Sequence, residues 1–311
     1  MKKFSLVLHG GSGALIKKEM TPDKEAAYKE TLKKALDTGY SILEKGGSAI
    51  DAVEKTVNVL ENSPLFNAGR GSVFNAEGKH EMEASMMEGQ NRIAGAVAVL
   101  KGVKNPISLA RDVMENSPHV FLAGEGAAQF AKSLDHKFEK PDYFYDEFRY
   151  QQWQKIKGSD KFQLDHDTKT NSKIGTVGAA ACDSEGNLAA ATSTGGMTNK
   201  KTGRIGDSGV IGLGNYANNK TCALSCTGSG EYFMRSVAAY DVSCLMEFKK
   251  LSLKEATDEV IHKRVKEIGG DGGLIAVDAE GNIAMPFNTL GMYRASKSST
   301  GEEELAVYKN Q

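Results

Sequence analysis

The chain has 311 residues, of which 40% are hydrophobic and 25% charged, a globular composition long enough for one large domain or two ordinary ones. Lysine and arginine number 39 against 40 acidic residues, and no block of five like charges occurs. That balance leaves no basic footprint for nucleic acid or an acidic membrane, no apolar run nears the ~20 residues of a membrane span, and the expected partner is small.

In chain order, Phe4 to Leu8 reads as a short strand that stops at the glycine loop His9-Gly10-Gly11, too short an apolar stretch for a signal peptide. Thr21-Pro22 supplies a cap and a first residue for a helix running to about Lys45. Ser48 caps a second helix whose Ile50, Val53, Val57 and Leu60 fall at helical spacing. Ile93 to Leu100 is an apolar strand, and Asn105-Pro106 opens another helix. From Asp135 to about Lys173 charge dominates with no sustained apolar period, which predicts an exposed linker with at most one helical piece.

Beyond the linker, small-residue strands Val177 to Cys182 and Leu188 to Ser193 flank Asp183-Ser184-Glu185-Gly186-Asn187, a hairpin signal. Leu274 to Val277 and Ile283 to Phe287 repeat the plan around the same Glu-Gly-Asn turn, with helices of roughly 231–248 and 253–268 between the hairpins. The pattern predicts an α+β layered sandwich, two antiparallel sheets packed together and covered by helices. No G-x-G-x-x-G sits between a strand and a helix as a dinucleotide fold requires. Cys182, Cys222, Cys226 and Cys244 show no C-x-x-C spacing and read as reduced core residues, which fits a cytoplasmic location.

Chemistry concentrates at Gly175-Thr176-Val177-Gly178, where the polar linker meets a buried strand. An ordinary strand start is the plain reading. A cut before Thr176 would instead put a hydroxyl and a free amine of pKa near ~8 on one residue, a nucleophile with its own base. Thr194 ends the strand that pairs with this one. Arg204 and Asp207 form an opposite-charge pair in a glycine-rich loop, able to hold an α-carboxylate and an α-ammonium, though a surface ion pair is the plainer reading. Thr227-Gly228-Ser229-Gly230 offers backbone amides and a hydroxyl for an oxyanion, or simply a capping loop, and the Asn67 amide in Asn67-Ala68-Gly69-Arg70 is a second donor. The His9 loop lacks the lysine of a phosphate loop, and the six histidines form no ligand cluster for a catalytic zinc.

Together these segments resemble the plant-type asparaginase and isoaspartyl peptidase family of N-terminal-nucleophile hydrolases. The resemblance runs from the His9 loop through Leu65 to Val73, His80-Glu81-Met82-Glu83-Ala84, the Gly175-Thr176 junction, Thr192 to Asn199 and Gly203 to Ser208, and ends at Ser225 to Glu231. It implies one αββα sandwich over residues 1–311, cut before Thr176 into an α-subunit of 1–175 and a β-subunit of 176–311, with two such heterodimers associating. It further implies Thr176 as nucleophile with Thr194 in support, and Asn67 and Thr227 serving the oxyanion. Arg204, Ile205, Gly206 and Asp207 with Thr227, Gly228, Ser229 and Gly230 would bind L-asparagine or a β-aspartyl dipeptide. No cofactor is needed for catalysis. A structural sodium or potassium ion is implied on the carbonyls of Leu60, Glu61, Ser63, Phe66, Ala68 and Arg70. Two positions depart from the family pattern: Glu83 replaces the usual Asp and Gly209 the usual Pro. A glycosylasparaginase-type enzyme and an uncleaved non-catalytic homologue are the alternatives.

Overall fold

The computed structural model of the chain describes residues 3–15, 17–159 and 175–309. In chain order the first half contributes strands β1 (Ser5–Gly13), β2 (Met82–Glu88), β3 (Ala94–Leu100) and β4 (Phe121–Ala123). The second half contributes β5 (Val177–Cys182), β6 (Leu188–Thr194), β7 (Asn215–Ala217), β8 (Cys222–Gly228), β9 (Gly272–Asp278), β10 (Ile283–Ala284), β11 (Gly291–Ser298) and β12 (Glu303–Tyr308). Among the described residues these form a large sheet of order β12-β11-β1-β5-β6-β2-β3-β4 and a small one of order β10-β9-β8-β7. The expectation of antiparallel sheets holds except at one edge, where β4 runs parallel to β3.

The helices of the first half are α1 (Pro22–Glu44), α2 (Ala49–Glu61), α3 (Pro106–Asn116), α4 (Gly124–Ser133), α5 (Pro141–Phe144) and α6 (Glu147–Ile156). Those of the second are α7 (Gly230–Ser236), α8 (Ala238–Lys249) and α9 (Leu253–Glu259). Caps start α1 and α2 where the sequence places them: the Thr21 hydroxyl accepts from the Lys24 amide and the Ser48 hydroxyl from the Asp51 amide. Their apolar stripes, Leu32 and Leu36 on α1 and Val53 and Val57 on α2, meet Leu6, Leu8, Val177, Ala179, Ala189 and Ala191 of the large sheet.

Because side chains alternate across a strand, the residues between them face the other way. Val7, Ala180, Cys182 and Ala190 join Leu224 and Ile275 of the small sheet and Phe233, Val242 and Ala256 of its helices. Both faces of β5 and β6 are buried, so these strands are runs of alanine rather than alternating patterns, and the layers follow the order helix, sheet, sheet, helix.

Several boundaries differ from expectation. The first strand does not end at Leu8 but continues through the glycines to Gly13, absorbing Gly10-Gly11 in a bulge between its pairs with β11. The 231–248 helix is broken at Val237, whose left-handed φ of 50° separates α7 from α8. The linker is corrected most. Its described part, 135–159, carries two helices, α5 and α6, and is not merely exposed: Phe144, Arg149 and Gln152 are buried, and Trp153 and Tyr150 pack on Phe74. The remainder of the expected linker, 160–173, lies outside the described residues. No helix among the described residues is long and apolar enough to cross a membrane.

Candidate active site

Strand pairing delivers the site. Val177 pairs with Ser193 and Gly178 with Thr192, so the antiparallel register sets Thr176 opposite Thr194, and Thr194 is itself paired with Glu83 on β2. Thr176 is buried, and its Oγ1 lies 3.1 Å from the Ser208 hydroxyl. A small cleft of about 30 Å³ is lined by Thr176, Thr194, Arg204, Gly206, Asp207, Ser208, Gly228 and Gly230.

Arg204 and Asp207 line this cleft together but not as the ion pair the sequence suggested. The Arg204 guanidinium donates from Nε and Nη2 to Glu231 Oε1 at 2.9 and 2.8 Å. Glu231 lies in the first turn of α7 and is half exposed, so the pair is a rim contact. Asp207 is buried, with one carboxylate oxygen lacking a hydrogen-bond partner among the described residues. Burial pushes its carboxyl up to about 7, the Arg204 charge opposing and the Glu83 charge adding to the rise. An unpaired buried carboxylate facing a cleft is a receptor for a cation.

The loop carrying these groups is held from beneath by Glu83. Its Oε2 accepts the Gly206 amide at 2.8 Å and its Oε1 accepts from Lys200 Nζ at 3.0 Å, an ion pair closed off from solvent. Gly209 packs against the same side chain, since a Cβ there would stand 3.3 Å from Glu83 Cβ. The two departures from the family pattern are therefore neighbours in space. Opposite, Gly230 lets the main chain reach the acid, for a Cβ on it would lie 2.7 Å from Asp207 Oδ1, and Gly228 adopts a φ of 151° that favours glycine.

Four expected residues stand behind the lining. Asn67 donates from Nδ2 to the Gly196 carbonyl at 2.6 Å, so its amide is engaged beside the cleft. Thr227 is buried, its Oγ1 accepting from the Ser12 amide at 3.2 Å and its carbonyl from the Ser12 hydroxyl at 3.1 Å, which ties β8 to the end of β1. Ser229 donates to the Asp271 carboxylate, and Ile205 is half-buried. Thr194 does line the cleft, yet its hydroxyl accepts from the Gly196 amide at 3.0 Å. Gly175 lines it too, with open space where a Cβ would sit.

His9 is excluded as an acid or base near neutrality. Burial drives its imidazole down to about 3 against an opposing pull from the Thr176 backbone, and Nε2 is 2.8 Å from the Ser225 hydroxyl. Sequence reasoning did not single out Ser208 or Glu231; each was quoted only as a neighbour within a motif, and the adjacency of Ser208 to Asp207 is the one signal that pointed to it.

In the loop after α2, Gly69 and Gly71 permit a tight fold of carbonyls: a Cβ on Gly69 would stand 2.5 Å from the Glu61 oxygen, and one on Gly71 2.8 Å from the Pro64 oxygen and closer still to that of Phe66. Neutral oxygens of this kind suit a hard cation. The Glu61 side chain turns elsewhere, accepting from the Ser193 hydroxyl, the Asn105 amide group and the Ile107 amide, and burial raises its carboxyl to about 7. Among the described residues no cluster of three His, Cys, Asp or Glu side chains could hold a metal.

The chain matches the family model described as asparaginase over residues 2–307. It is similar to the isoaspartyl peptidase of Salmonella typhimurium, 48% identical over 95% of each chain, and to that of Escherichia coli, also 48% identical over 95% of this chain and 93% of the other. A plant-type L-asparaginase of Thermococcus kodakarensis is 41% identical over 97% of this chain and 99% of its own.

Proposed function

The chain belongs to the asparaginase family, and from that premise we propose that it cuts itself between Gly175 and Thr176 and hydrolyses β-aspartyl dipeptides and L-asparagine to release L-aspartate. The observation that carries this reading is the placing of the Thr176 hydroxyl in one small cleft with Arg204 and an unpaired, buried Asp207.

In self-cleavage the Thr176 oxygen adds to the Gly175 carbonyl carbon, the C–N bond breaks, and the freed nitrogen becomes a new amino terminus. Water then hydrolyses the resulting ester. The mature residue has a nucleophile and, in its α-amine of unperturbed pKa near ~8, the base that takes the proton. The substrate's α-carboxylate goes to Arg204 and its α-ammonium to Asp207, which orients the side-chain amide toward Thr176. Asn67 and Thr227 are our oxyanion donors; one Asn67 N–H goes to the Gly196 carbonyl, and its second N–H is the one assigned to the oxyanion.

The carbonyl-rich turn at Glu61 to Arg70 supports a structural alkali ion there, with Leu60, Glu61, Ser63, Phe66, Ala68 and Arg70 as its ligands. Exposed Val120 and Phe121 at the β4 edge support association of two cleaved heterodimers. The four cysteines are free, which supports a reducing, cytoplasmic setting.

Amino-terminal sequencing of aged protein, alongside hydrolysis of L-asparagine and of a β-aspartyl dipeptide without added cofactor, tests the reading. A new terminus at Thr176 and aspartate release are expected, and Thr176→Ala should remain one inactive chain. Activity in an uncut chain, or cleavage at another bond, overturns it.

A further inference from the structure

The Thr176 hydroxyl meets Ser208, not Thr194. Thr194, which the strand pairing brings opposite, turns its oxygen to the Gly196 amide at 3.0 Å, while the Ser208 hydroxyl lies 3.1 Å from Thr176 Oγ1. Ser208 is itself held. Its carbonyl accepts from the Ser85 hydroxyl at 2.6 Å, and Asn215 Nδ2 donates to both the hydroxyl and the carbonyl oxygen of Ser85 at 2.9 Å. Ser85, Ser208 and Asn215 are fully buried or nearly so, and they come from β2, from the loop of Arg204 and from β7, so both sheets contribute.

Buried polar groups cost stability unless they are bonded, and a bonded chain of them fixes one geometry. Here these bonds hold the Ser208 main chain, and its hydroxyl lies against the reacting oxygen. We propose that the Ser208 hydroxyl, braced by Ser85 and Asn215, is the group that positions the Thr176 oxygen for attack. The proposal rests on Thr176 being the nucleophile. In the uncut chain Thr176 has no free amine, so the Ser208 hydroxyl, 3.1 Å away, is the group placed to orient the Oγ1 atom. After cleavage the new amine shares that work. Self-cleavage therefore depends on Ser208 more than turnover does. Ser208 acts on the nucleophile rather than on the substrate charges, so its effect falls on kcat and not on KM.

The test measures the cleavage half-time and then kcat and KM on a β-aspartyl dipeptide. Ser208→Ala should slow cleavage by about tenfold, the weight of one buried hydrogen bond, and lower kcat by a smaller factor with KM unchanged within about twofold. Thr176→Ser removes the methyl that restricts the same rotamer. Combining it with Ser208→Ala should slow cleavage by more than the product of the two single effects. Ser85→Ala leaves Ser208 in place but unbraced and should slow the same step by about threefold, which keeps the test available if Ser208→Ala does not fold. Wild-type cleavage in Ser208→Ala, strict multiplication in the double variant, or a change confined to KM overturns the proposal. Cleavage by Thr176→Ala would instead sink the nucleophile assignment on which it rests.

Discussion

Glu83 accepts the main-chain amide of Gly206 at 2.8 Å, so the loop that presents Arg204 and Asp207 to the cleft hangs on one buried carboxylate. The same side chain is the ion-pair partner of Lys200, whose side chain is 1% exposed. Removing the charge strands a buried ammonium. Glu83→Gln should therefore lose about 3 to 5 kcal/mol, read as a lower denaturation midpoint. Glu83→Gln with Lys200→Met should recover most of it; no recovery would mean that the loss lies in the Gly206 contact instead.

Asp207 gives a pH signature of opposite sense to a salt-bridged acid. Its carboxyl is raised from 3.8 to about 7 in the folded chain, so between those values the folded state holds a proton that the unfolded state has lost. Stability from this group is present below the lower value and is lost as pH rises through the upper one. At about 1.4 kcal/mol per unit the penalty at pH 8 is on the order of 4 kcal/mol. Asp207→Asn should raise Tm at pH 8 and raise it by less than half as much at pH 5, where the penalty is on the order of 2 kcal/mol, while abolishing turnover. An equal shift at both values would refute the buried-charge explanation.

Arg204→Ala should still mature, because the precursor's own peptide bond needs no carboxylate clamp, and should then raise KM by the ~2 to 5 kcal/mol of a desolvated charge contact. Some loss of kcat accompanies it through misplacement of the amide. An unchanged KM would reduce the arginine to the rim pair it forms with Glu231. Acylating the substrate's α-amine should abolish turnover, and equal rates on blocked and free substrate would remove Asp207 from the binding site.

Gly178 sits where β5 passes under the small sheet. A Cβ there would collide with the Ser225 hydroxyl and stand 2.7 Å from His9 Nε2. Gly178→Ala should give insoluble or uncut protein, checked by solubility and by a denaturing gel, whereas Gly175→Ala, with open space at its Cβ, should fold with normal Tm.

The sequence made some of this legible and hid the rest for physical reasons. The β5–β6 hairpin was readable from its Asp183 to Asn187 turn, and α1 and α2 from their caps. The strands β2, β8, β11 and β12 were not assigned, because segments such as Cys222–Gly228, CALSCTG, are buried on both sides and so lose the two-residue alternation that marks a strand. α6 was anticipated only as one unplaced helical piece, for the opposite reason: Trp153 and Tyr150 pack on Phe74, contacts across more than 75 positions that no local period records. The order of motifs identified the cleft residues, but pairing is not local. That Arg204 reaches Glu231, and Lys200 reaches Glu83, follows only from the fold.

The strand order of the large sheet bears on what a cut at Gly175 can undo. β1 lies between β11 and β5, and β6 lies against β2, so residues 1–175 and 176–311 meet along three hydrogen-bonded seams. Neither piece owns the complete large sheet. A nick therefore releases no fragment, and the two chains come apart only when the whole sheet opens. Reassembly would then require two molecules to find each other and interleave strands that one continuous chain had threaded in order. Maturation of this kind is a ratchet: thermal unfolding of the cut protein should be irreversible where that of an uncut Thr176→Ala chain is not, with recovery after cooling that depends on concentration.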